Sequence, residues 1–174
     1  FEKVFGKNWE NLGLYIIYDV AHNIAKIENH SIKGKQKKVI VHRKGATRAF
    51  PAHTEGIPEY YQNVGQPVLI PGDMGTESYV VVGEEKVLSE TFGSSCHGAG
   101  RLLSRSAASK KVNLGKLLND LKESNISIMS KNKEGLKEEA PEAYKDVEKV
   151  INTLEEIKLI KKVAKMKPLI VIKG

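Results

Sequence analysis

The stretch QPVLIPGDMGTESYVVVG, residues 66–83, constrains this chain more than any other. Two short apolar runs flank a glycine-rich turn and are bounded by Gly and Pro, too short and too punctuated for helices. They read as a buried strand, an exposed turn and a return strand. Any fold must therefore contain at least one local strand pair. Upstream, KKVIVHRKGATRAF (37–50) sets Val39 and Val41 against Ile40 and His42, which is strand-like, and the terminal PLIVIKG reads as a closing strand. ISIMS (126–130) is a further candidate strand, and residues 51–66, with Pro51, Gly56, Pro58 and Gly65, read as loop.

Other segments carry the three- and four-residue spacing of helices. Ile17, Val20, Ala21, Ile24 and Ile27 predict a helix from Asp19 to Glu28, with His22 and Lys26 on one side. RLLSRSAASKK predicts another, led into by the glycines of HGAGR. NLGKLLNDLKESN is amphipathic through Leu114, Leu117, Leu118 and Leu121. The same period runs from Val147 through Ile160 to Val163. Strands and helices together predict an α+β fold.

At 174 residues the chain fits one domain with a real core. A single cysteine forms no internal disulfide and suits a reducing, cytoplasmic setting. No apolar run approaches the roughly 20 residues a membrane helix needs, so no membrane association is expected. The start, FEKVFGKNWEN, has no signal-peptide character. Because it begins at Phe1 rather than Met, the chain is expected to be part of a longer protein or a processed product. Net charge of +7 fits an anionic partner such as RNA, DNA or nucleotide, or simply a lysine-rich soluble surface.

Three stretches carry candidate chemistry. HRKGATRAF packs His42, Arg43, Lys44 and Arg48 around a glycine, either as a phosphate contact or as a solvated hairpin end. LIPGDMGTES offers turn N–H groups to an anion, but Asp73 repels phosphate unless a cation intervenes. SSCHGAGR places His97 beside two glycines that keep space clear, with a helix N-terminus expected to follow. Its spacing matches neither common phosphate-loop pattern. An imidazole there is either a nucleophile or acid/base on phosphorus, or a packed structural histidine. Cys96 reads as a small packing residue.

YDVAHNIAKIE, VHRKGATRAFP, GQPVLIPG followed by MGT, ETFGSSCHGAGRLLSR, EEAPEAYKDV and PLIVIKG resemble, in order and over residues 1–174, the C-terminal part of the RtcB family of RNA-splicing ligases. The resemblance implies an enzyme using GTP and Mn²⁺. It joins RNA ends bearing a 2′,3′-cyclic phosphate or 3′-phosphate, such as tRNA halves, to 5′-hydroxyl ends. His97 would be the guanylylated nucleophile and His22 a manganese ligand. Asn23, Pro71, Gly72, Asp73, Met74 and Ser78 would meet the nucleotide. So would Gly98, Ala99, Gly100, Tyr144 against the guanine, and Lys173 at its edge. Arg48, Arg101 and Arg105 are weaker candidates for RNA phosphates.

Two departures stand out: GDMGT replaces the family's usual GSMGT, and AFPAHTEG replaces AFPPG around His53. The first is expected to weaken nucleotide binding, the second to reshape a loop. The family's other metal ligands, an aspartate, a cysteine and further histidines, lie upstream of the matching segment. The missing N-terminal part of the same protein is thus an expected partner, alongside RNA and an archease-type protein. The alternative is a non-catalytic RNA- or nucleotide-binding or structural fragment.

Overall fold

The computed structural model describes residues 1–173 and is α+β. A single helical turn, α1 (Glu2–Phe5), precedes a long antiparallel ribbon, β1 (Asn23–Ile32) and β2 (Lys35–Lys44). The segment expected to be helical from Asp19 to Glu28 is therefore irregular up to His22 and extended thereafter. Two causes override the helical spacing. Lys33 and Gly34 form a two-residue turn with φ of 51° and 75°, the geometry that closes a right-twisted hairpin. Arg43 of β2 then draws Glu28 into the interior, which a helix would point elsewhere. The β-branched Ile24, Ile27 and Ile32 suit either pleat face.

Next come β3 (Ala46–Arg48), β4 (Val68–Ile70), β5 (Ser78–Gly83), α2 (Lys86–Thr91) and β6 (Ser94–Cys96). The remainder comprises α3 (Arg105–Lys111), α4 (Leu114–Glu123), β7 (Ser127–Ser130), α5 (Val147–Glu156), β8 (Ile160–Met166) and β9 (Ile170–Lys173). β4 and β5 pair antiparallel around the glycine-rich turn, as expected, and β8 joins β5 on its other edge. β3 pairs antiparallel with β6, and β7 parallel with β9. The long C-terminal helical pattern stops early. Lys158 adopts the left-handed conformation, φ 59°, and the chain turns back as β8. Lone apolar residues every third or fourth position serve a strand as well once a sheet edge is waiting.

Two cores form. Val68, Ile70, Tyr79 and Val81 of the three-stranded sheet pack on Ile151 of α5 and Ile160 of β8. Leu117 and Leu121 of α4 pack with Ala108, Leu136, Ala143 and Met74. Ile70 belongs to the first core and Met74 to the second, so the turn between them spans the seam. The HGAGR segment crosses it too, with Ala99 on the first core and Leu103 against the second.

A candidate nucleotide-handling site at the seam

One crossing of the chain brings His22 and His97 together. Gly45, between β2 and β3, has φ +69° and donates its N–H to the carbonyl of His22 at 3.1 Å. Its neighbour Ala46 pairs with Cys96 at the end of β6, and His97 follows directly. The two imidazoles stack, centroids 4.7 Å apart and planes 7° from parallel. A Cβ on Gly45 would stand 3.7 Å from His97 Nε2, so the missing side chain leaves that nitrogen open.

Stacking two titratable rings has an electrostatic consequence. Partial burial lowers the His97 pKa, and the charge His22 would carry lowers it further. His97 is thus held as neutral imidazole, with a nucleophilic lone pair, near pH 7. Cys96 packs against the first core, and burial pushes its thiol up.

Beside His97, a Cβ on Gly98 would touch the Pro71 carbonyl at 3.5 Å, so the two glycine-rich loops lie against each other. The Pro71–Met74 turn leads from there into an open cleft of about 280 Å³. Gly72, Asp73, Met74, Tyr144 and Lys173 line it, together with Glu139. Gly72 is obligatory: a Cβ would fall 2.0 Å from the Glu77 carbonyl oxygen. Ser78 Oγ accepts from the Gly72 N–H at 3.3 Å, and so shapes the turn. Asp73 also serves the turn. Its Oδ1 accepts from the Gly75 and Thr76 N–H groups at 2.8 and 3.0 Å. Asn23 opens β1 next to His22 and is exposed. Gly100, φ +80°, accepts from the Lys145 N–H at 2.9 Å, tying the HGAGR loop to the segment bearing Tyr144.

Glu139 is the residue that sequence reasoning missed. Tyr144 donates its hydroxyl to Glu139, and Arg101 Nη1 donates to the Tyr144 oxygen at 2.7 Å. The Arg101 guanidinium stacks 4.6 Å from the Tyr144 ring centroid. Arg105 and Lys173 reach the same carboxylate at 3.5 and 4.0 Å. One acid thus orients the aromatic ring and the terminal lysine of the cleft. Burial and then the Glu139 bond raise the Tyr144 pKa, keeping its hydroxyl a donor. Nothing in the spacing of EEAPEAY marks Glu139 out.

The arginines divide. Arg101 also donates to the carbonyls of Leu103 and Glu138, leaving its guanidinium committed to the protein. Arg48 donates to Gln66 Oε1 at 3.0 Å and the Gly56 carbonyl at 3.2 Å, over the Phe50 ring. Both guanidiniums are committed to the protein, whereas Arg105, with a side chain 73% exposed, pairs only with Glu139 among the described residues and keeps the rest of its guanidinium at the surface. Arg43, grouped in the sequence with a possible phosphate contact, is instead 2% exposed and pairs with Glu28. The helix expected to follow HGAGR begins only at Arg105, capped by Ser104. Gly100 and the pairing of Arg101 with Tyr144 keep the intervening chain extended, so no helix end points at His97. In the reshaped loop, His53 takes φ 59° and its N–H donates to the Gln62 carbonyl. Among the described residues, no three His, Cys, Asp or Glu converge to hold a metal, and no helix is long and apolar enough to cross a membrane.

The family model described as tRNA-splicing ligase RtcB matches residues 1–174. Among curated relatives, the tRNA-splicing ligases RtcB of Thermococcus kodakarensis and Pyrococcus abyssi are each 52% identical over 174 residues. That of Nanoarchaeum equitans is 51% identical over the same length. Each alignment covers 100% of this chain but only 36%, 19% and 36% of the respective relative. The chain therefore spans about a fifth to a third of the length of these relatives.

Proposed function

The chain belongs to the tRNA-splicing ligase RtcB family, and on that premise we propose that it is the nucleophile-bearing segment of an RNA ligase. The observation that carries this reading is the His22–His97 stack, with His97 held neutral and its Nε2 cleared by Gly45. GTP supplies an activated α-phosphate. His97 attacks that phosphorus, forming an N–P bond while the bond to the pyrophosphate oxygen breaks and takes its electron pair away. His97 then surrenders GMP to an oxygen of an RNA 3′-phosphate and recovers its lone pair. Attack by a 5′-hydroxyl forms the phosphodiester, GMP leaves with the electron pair, and the hydroxyl proton passes to solvent. A cyclic phosphate end must first be opened by water for the atoms to balance.

The cleft supports the nucleotide end of this reading. Tyr144 offers a ring face, held from behind by Arg101, and Lys173 offers three donors to a base edge. Mn²⁺ is a different case. His22 would supply one imidazole, and among the described residues no three His, Cys, Asp or Glu converge to complete a set of donors. The ion's remaining donors would come from protein outside this segment.

The test uses the complete gene product with Mn²⁺ and α-labelled GTP. Covalent label on the wild type, lost in His97→Ala while RNA affinity is kept, supports the ligase reading. Label retained in His97→Ala overturns it. The 174-residue chain alone is expected to take up no label.

A further inference from the structure

We propose that the β1–β2 ribbon is an RNA-guiding arm, whose exposed lysines hold the phosphate backbone of the strand leading away from His97. This rests on the ligase reading and adds a surface to it. The ribbon holds six exposed lysines, Lys26, Lys33, Lys35, Lys37, Lys38 and Lys44. Its single acid, Glu28, is buried, ion-paired with Arg43 and hydrogen-bonded to His30, and none of the six lysines is ion-paired among the described residues. Elsewhere Lys137, Lys149, Lys162, Lys165 and Lys173 sit beside carboxylates while others, such as Lys110, Lys111 and Lys116, do not; what sets the ribbon apart is that its lysines lie on one extended element without an exposed acid.

Placement turns this charge into a track. Alternate residues of the pairing, from Asn23↔Lys44 at the base through Ala25↔His42, Ile27↔Ile40 and Asn29↔Lys38 to Ser31↔Gln36, form one face. Every residue on that face is exposed, none is acidic, and it carries Lys38 and Lys44; Lys26, Lys35 and Lys37 stand on the other face and Lys33 in the turn. Its base abuts the catalytic pair, since Asn23 follows His22 and Lys44 precedes Gly45. Ten residues per strand at about 3.3 Å each carry the tip about 33 Å from there. Counted from the base, the lysines step outward along the ribbon as Lys44, Lys26, Lys38, Lys37, Lys35 and Lys33, divided between its two faces, and a series of cations that starts beside His97 fits a linear polyanion running into it. Asn23 beside Lys44 and Asn29, Ser31 and Gln36 beside Lys38 add neutral donors suited to phosphate and sugar oxygens. An acidic protein partner would need only a patch and has no reason to begin at His97.

The experiment compares the complete gene product with Lys35→Gln/Lys37→Gln/Lys38→Gln and with the same three positions as Arg. Self-guanylylation, which needs no RNA, reports on the site. RNA affinity is measured for a strand of about 20 nucleotides and for one too short to leave the site. For the long strand, the Gln variant is expected to bind at least about tenfold more weakly near 0.1 M salt. The slope of log affinity against log salt is expected to flatten by about 2. The short strand and the guanylylation should not change, and the Arg variant should bind as wild type. Unchanged long-strand affinity and slope would overturn the arm, as would equal losses on both strands. Absence of guanylylation in the wild type would instead sink the ligase reading, leaving the length-dependent binding to judge the arm.

Discussion

Removing the Glu28 carboxylate should cost this protein more than any comparable surface change. Arg43 is 2% exposed and donates to Glu28 Oε1 and Oε2 at 2.7 and 2.8 Å, to Ser94 Oγ at 2.9 Å and to the Phe92 carbonyl at 2.8 Å. His30 shares the same carboxylate at 3.0 Å. Glu28→Ala would strip two charge-assisted bonds, about 1.5–3 kcal/mol each, and leave a guanidinium buried without its counter-ion. The expected loss is about 3–5 kcal/mol. At about 2–4 °C per kcal/mol for a domain this size, the melting midpoint falls by about 6–20 °C.

The assay is thermal or denaturant unfolding of the complete gene product, with Glu28→Ala, Arg43→Met and the double variant. The double variant should recover much of the loss, because it leaves no lone charge. Because Ser94 and Phe92 lie just upstream of His97, guanylylation should fall with the single variants and partly return in the double. The pH dependence gives a second reading. Burial alone would raise the Glu28 pKa, but the bonds from Arg43 and His30 outweigh it and hold the carboxyl below its ordinary value. The unfolded chain therefore binds this proton first on acidification. The pair's contribution is fully present above the ordinary carboxylate pKa and is lost as pH falls through the lowered folded value. Glu28→Ala should remove that acid-side slope. An unfolding midpoint within 1–2 °C of wild type, about 0.5 kcal/mol, would refute the reasoning.

Two further outcomes follow from the site. Because burial and His22 lower the His97 pKa, the acid limb of guanylylation should lie below the ordinary imidazole value; His22→Ala, measured as a pH–rate profile for any residual labelling, should move it upward. Asp73→Asn keeps the oxygen that accepts from Gly75 and Thr76 while removing a negative charge from the proposed nucleotide cleft. It should tighten GTP binding in a calorimetric titration, whereas Asp73→Ser, which shortens the acceptor, should gain less.

Much of the site was legible as motif, little as geometry. The strand pair around GDMGTES, the α4 amphipathic helix and the closing strand follow from apolar spacing and glycine placement. His97 stood out because two glycines flank it, and Tyr144 and Lys173 through the resemblance alone. The helix expected over Asp19–Glu28 failed because periodicity reports which residues share a face only after the backbone state is known. Ile24 and Ile27 satisfy a three-residue spacing, yet Ile27 is 65% exposed on the ribbon. Arg48 and Arg101 looked free because a sequence shows charge but not the carbonyls waiting for it.

The sequence by itself determined the class of the fold, the family, and the residue types available to the chemistry: one glycine-flanked imidazole, a glycine-rich turn and an excess of lysine. Tertiary structure alone decided that His22 stacks on His97, that Glu139 orients Tyr144 and Lys173, and that unpaired lysines line up on one ribbon. These depend on contacts between residues far apart in the chain, such as the 15-residue step from Glu28 to Arg43 or the 51 from Arg43 to Ser94. Local propensity sees only the neighbours within a turn or a pleat. Burial of a distant partner, strong in a low-dielectric interior, can outweigh it.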